Sequence, residues 1–140
     1  MLLIALFYEK ILNIKSFYYI SLLVEIVMFA SLVTFLLLKI SFVSALMIYC
    51  LYQFTFIFGG YLVRSETLVA HEKKFLSKID VFKQIGYLTG LSLSYAYYKV
   101  IEHTFRITEA ELQIETLHYL LIILQLSIIF LLVFSFKKGN

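Results

Sequence analysis

Between Lys39 and Arg64 lie 24 consecutive residues, 40–63, without a single charge. As a helix that run rises about 36 Å, and about 20 apolar residues already cross the hydrocarbon core of a bilayer. Three further runs share its character: residues 16–38, 84–101 and 117–136. Composition agrees, with 62% hydrophobic and 15% charged residues and neither Pro nor Trp among 140; soluble chains carry about 25% charged residues. The expected fold is an all-α membrane protein with four transmembrane helices, spans A to D in chain order, forming a single polytopic unit over residues 1–140. The first eight residues are apolar but rise only about 12 Å as a helix. With the following EKILNIK they read as an N-terminal helical stub.

Residues 64–83, RSETLVAHEKKFLSKIDVFK, hold five of the twelve Lys and Arg. They are too charged for hydrocarbon and too short for a domain, and read as a cytoplasmic loop between the A and B pair and the C and D pair. Placing the N-terminal segment, this loop and the C-terminal tail on one side gathers nine cations there, against three (Lys39, Lys99 and Arg106) on the other. Cations mark the cytoplasmic side, so both termini are expected in the cytoplasm and the protein in a cell inner membrane. The bilayer is thus the first partner. The net charge of +3 sets topology and gives no reason to expect nucleic acid. Capping-box spacings at Ser77 to Asp80 and Thr108 to Glu111 suggest helix starts before spans C and D. Glu109, Glu111 and Glu115 suit the positive end of a helix beginning near Glu109.

Few residues in the spans invite chemistry. Glu25 is the one charge in span A, and an ionised carboxylate at that depth is costly unless it is neutral, paired or wet. One reading is a proton or cation site; the other is a carboxyl hydrogen-bonded to another helix. Gln53, with Tyr49, Tyr52 and Thr55 nearby, is either a substrate contact or a packing contact between helices. Lys99 is close enough to the end of span C to snorkel. Gly86, Gly90 and Ser94 line one face of span C, as in seams where helices approach closely. Cys50 reads as a small packing residue, and as the only cysteine it excludes an internal disulfide. His71, His103 and His118 lack metal-ligand spacing, so no metal or other cofactor is expected. With no nucleophile motif and no phosphate loop, enzymatic activity is not expected either.

In its pattern of spans and loops the chain resembles part of the major facilitator superfamily, from the end of helix 2 through helix 6 of the N-terminal half. Residues 5–13, ALFYEKILN, occupy the place of that family's cytoplasmic Gly-x-x-x-Asp-Arg-x-Gly-Arg-type motif. Glu9 and Lys10 keep its acidic and basic pair, while both glycines are lost. Ser65-Glu66-Thr67-Leu68 resembles a segment found at the end of the family's fourth helix, and IGYLTGLSLSY resembles its fifth. The resemblance implies that spans B and C line a central cavity and that span A is peripheral. It also implies a cytoplasmic latch in which Glu9 meets Arg64 and Glu66 meets Lys10.

Alternating access needs one helical bundle to move against another, and four spans are less than one bundle. The expectation is a transporter-like partial unit, moving an unidentified small solute only when completed by transmembrane helices from another chain or from a missing part of the gene. The alternative is a small membrane scaffold or regulatory subunit that transports nothing.

Overall fold

The computed structural model describes residues 7–38, 41–70 and 72–137. Among these, one short and four long helices follow in order: α1 (Tyr8–Ile11), α2 (Ile14–Leu38), α3 (Phe42–Ala70), α4 (Lys73–Thr104) and α5 (Ala110–Lys137). The chain is all-α. Helices α2, α3 and α5 have the length and apolar content to cross a membrane. They are apolar around most of their circumference, as helices surrounded by lipid are.

Local chemistry sets the boundaries. Asn13 separates α1 from α2 by serving both: its Nδ2 donates to the Lys10 carbonyl at 3.1 Å, and its Oδ1 accepts from the Ser16 amide at 2.8 Å. That second bond is a side-chain cap on the first turn of α2. At the start of α3, Ser41 and Ser44 cap reciprocally: the Ser44 amide donates to Ser41 Oγ at 3.1 Å, and the Ser41 amide to Ser44 Oγ at 3.2 Å. The expected capping pair Ser77 and Asp80 instead lies inside α4, which begins at Lys73. The start of α5 at Ala110 is within one residue of expectation.

The central charged stretch is not a loop. Residues 64–70 extend α3, and residues 73–83 form the first turns of α4. Arg, Lys and Glu are good helix formers, and a 29-residue α3 rises about 44 Å, well past a hydrocarbon core of about 30 Å. Charge ends the contact with lipid without ending the helix.

Helix α2 lies between α3 and α5. Its N-terminal end meets the C-terminal end of α5, where Phe136 packs on Phe17 and Tyr18 with ring centroids 6.0 and 4.9 Å apart. At the far end Phe35 stacks on His118 at 3.8 Å, the rings within 17° of parallel. Helices α2 and α5 are therefore antiparallel. So are α2 and α3, since Phe17 shares a cleft with Ser65 and Leu68 while Phe35 shares one with Ser44 and Ile48. Two antiparallel pairs with a common member leave α3 and α5 parallel. The chain must travel back between them, and α4 is the element that does so. Its 32 residues supply about 48 Å, and it is the least apolar of the four.

Helix α4 touches the others sparingly, chiefly at its α3 end. The expected pairing of spans C and D is thus replaced by a pairing of A with D. Its C-terminal end is closed by hydrogen bonds from the Phe105 and Ile107 amides to the Ile101 carbonyl at 3.2 and 3.4 Å. Arg106 sits between them in the left-handed region, at φ 54°. This is the position at which helices favour glycine. Arg106→Gly should raise stability by up to about 1 kcal/mol, read as a higher unfolding midpoint in detergent.

Most of what these helices bury is small or polar. Ser31, Ser44, Ser65 and Ala70 are buried, with Tyr61, Ile101 and Gln125. Helices in lipid gain nothing by hiding one apolar side chain from another, so close backbone approach over small residues and hydrogen bonds between helices take over.

Candidate functional site

The most developed polar site among the described residues joins α2 to α5 near mid-depth. Gln125 Nε2 donates to Glu25 Oε2 at 2.5 Å and to the Glu25 backbone carbonyl at 3.1 Å. Gln125 is buried and Glu25 half-buried. Both lie near the midpoints of antiparallel helices, so the register that seats Phe136 on Tyr18 and Phe35 on His118 also brings them level. The amide thus holds both the carboxyl and the backbone beside it, fixing the side-chain rotamer and the helix spacing together. This arrangement corresponds to the second reading of Glu25, a carboxyl hydrogen-bonded to another helix. Gln125 is a lone amide amid LLIILQLSIIF, and that isolation is the one signal of it in the sequence.

Tyr49 and Gln53 lie elsewhere. They line a cleft of about 520 Å³ with Phe35, Ser44, Ile48 and Tyr52. Tyr49 and Tyr52 are more than half exposed, and Gln53 is exposed too. Phe35 is ten residues beyond Glu25, about 15 Å along α2. The three residues expected to contact substrate therefore divide into a closed pair and an open cleft.

The charged residues expected to form a latch are also distributed differently. Glu66 forms an ion pair with Lys83, joining α3 to α4, rather than with Lys10. Lys10 and Arg64 are exposed and belong to neither of the two ion pairs among the described residues. The Glu9 side chain lies outside the described residues. A neutral bond ties the stub to the bundle: Tyr61, fully buried, donates its hydroxyl to the Ile11 carbonyl at 2.9 Å. A hydroxyl bonded to a main-chain carbonyl leaves no trace in charge pattern, so charge alone does not point to this link.

Gly86 and Gly90 do not meet another helix of this chain. A Cβ added at either would find nothing within 4 Å, because α4 stands away from the other three over its middle. Cys50 is exposed on α3 rather than packed. Lys99 is paired with Glu102 at 3.4 Å near the end of α4. His118 is occupied by Phe35 on one face, with Nδ1 2.8 Å from the Ile114 carbonyl, and His71 lies outside the described residues. No cluster of metal-binding side chains occurs among the described residues.

Comparison with protein-family models, curated proteins and solved structures gives no match.

Proposed function

We propose that this chain is a transporter-like integral membrane protein of a cell inner membrane, a partial unit in the manner of the major facilitator superfamily that works only in company with further transmembrane helices. One observation carries the reading. Helices α3 and α4 leave polar side chains exposed along the stretches that would lie within a membrane, while the better-covered α2 has its charge engaged by α5. Gln53, Tyr49 and Tyr52 on α3, and Thr89, Ser92 and Tyr95 on α4, are all exposed. Polar groups in a spanning segment normally face other helices or a water-filled cavity. Helix α4, weakly apolar and nearly without neighbours, needs such company most. The α3 and α4 side of the molecule is then the wall of a cavity whose other walls come from elsewhere, and the open face at Gly86 and Gly90 admits a helix closely.

A second reading, a scaffold or regulatory subunit, draws on the separation of Glu25 from the cleft at Gln53. Glu25 is held by Gln125 and does not reach the cleft that Tyr49 and Gln53 line, so the same open face then serves assembly alone.

Single cysteines in a Cys50→Ser background separate the readings. In intact cells, cysteine at Lys74 is expected to resist an impermeant maleimide and cysteine at Glu109 to react, which places both termini in the cytoplasm. Cysteine at Gln53 is expected to react from water in the native assembly. Lack of reaction there, with Glu109 labelled normally, excludes a wet cavity and leaves the scaffold. Reversal of the Lys74 and Glu109 pattern overturns the orientation.

A further inference from the structure

A cleft of about 510 Å³ separates the first turns of α2 from the last turn of α5. It is bordered by one lysine from each helix, Lys15 and Lys137, both exposed. Neither belongs to the two ion pairs among the described residues. Tyr18, Tyr19 and Ser135 add hydroxyl groups, and Ile14, Val133 and Phe136 give the cleft an apolar floor. Two ammonium groups and several hydroxyls around an apolar floor, at the boundary where spanning helices leave hydrocarbon, suit an anion that carries a hydrocarbon body.

The surroundings continue that pattern. From Lys15, the helical spacing runs through Tyr19, Leu23 and Ile26, and all three are exposed. From Lys137, it runs through Val133, Phe130 and Leu126, which are exposed as well. Each cation thus heads an apolar stripe that descends toward the middle of its helix. A phosphate held between the two lysines would leave its acyl chains lying along these stripes. A free phosphate would use the cations and leave the stripes idle.

We propose that this cleft binds the headgroup of an anionic glycerophospholipid, Lys15 and Lys137 donating to the phosphate and the stripes below receiving the acyl chains. Each basic group beside an anionic lipid surface favours binding about 5-fold, so the pair is worth about 30-fold. The site is independent of whether the chain transports anything.

The test is native mass spectrometry of the full chain released from mixed micelles of phosphatidylglycerol and phosphatidylcholine. The wild type should retain phosphatidylglycerol in at least about tenfold preference. Lys15→Gln with Lys137→Gln should abolish that preference, and Lys15→Arg with Lys137→Arg should keep it. Lys73→Gln with Lys74→Gln, at the start of α4, should leave it unchanged. A preference lost equally in the α4 variant would mean diffuse attraction to basic residues, and the site fails. Displacement of the lipid by millimolar inorganic phosphate would mean that the cleft reads phosphate alone, and the lipid assignment falls. If the glutamine variant does not fold, loss of preference in the folded arginine variant overturns the proposal by itself.

Discussion

Replacing Tyr61 with alanine should cost about 3 kcal/mol, the largest single loss expected in this protein. Tyr61 is fully buried where α3 passes the turn between α1 and α2, and removing a buried aromatic ring leaves a cavity that costs about 3–5 kcal/mol. The lower end applies because lipid reaches most of the neighbouring surface. Tyr61→Phe keeps the ring and loses the hydroxyl that bonds Ile11, for about 1 kcal/mol. Unfolding of both variants in mixed micelles, followed by circular dichroism as the denaturing detergent rises, gives the two values. Equal losses would mean that the hydroxyl, not the ring, holds this corner. In Tyr61→Ala the segment before Asn13 should also become open to proteolysis, since its tie to α3 is gone.

Gln125→Leu should cost about 1–3 kcal/mol, because it strips the buried amide from Glu25 and leaves the carboxyl facing an apolar helix. Glu25→Leu alone should cost less, since an orphaned amide is cheaper to bury than an orphaned carboxyl. The double change, Glu25→Leu with Gln125→Leu, replaces both partners by groups that pack, and should recover much of the loss. A double-mutant cycle isolates the coupling between the two positions. Additive losses would show that the hydrogen bonds seen across α2 and α5 contribute little to folding. The averages for such contacts in membranes, about 0.6 kcal/mol, make this a demanding test; the shared grip on carboxyl and backbone is the reason to expect a larger value here.

What could be read from the sequence was what depends on one segment at a time. The charge-free run at 40–63, the limits of span A, and the start of the last helix near Glu109 all follow from residues adjacent in the chain. The central stretch is harder to read because charge is compatible with a continuing helix: Arg64 lies within α3, and Lys73 and Lys83 lie within α4. Asn13 and Ser41 are cap residues by type and do cap their helices, while Ser77 and Asp80, with the spacing of a capping box, fall inside α4. Helix partners were the harder matter. Topology allowed either A with D or C with D, and small residues at Gly86 and Gly90 pointed to the wrong seam. The seam in use is built from Ser31, Ser44 and Ser65, which are as common on lipid-facing surfaces and so gave no warning. Glu25 was visible at once, but its partner could be found only by laying α5 antiparallel to α2 and comparing depth.

The pairing of α2 with α5 also bears on how the protein is made. Glu25 and Gln125 are 100 positions apart, and a ribosome adding about 5–20 residues per second takes about 5–20 s to bridge that interval. For all that time α2 has emerged and its partner has not. The helix hairpin formed with α3 then carries a carboxyl with no amide to receive it, while α4 is still being made. During the wait the carboxyl has to be neutral, wet or paired with something other than Gln125. A chain stalled before residue 125 is therefore more than a shorter version of this protein. It is an intermediate whose one charged residue within α2 beyond the first turn lacks the amide that engages it in the finished fold.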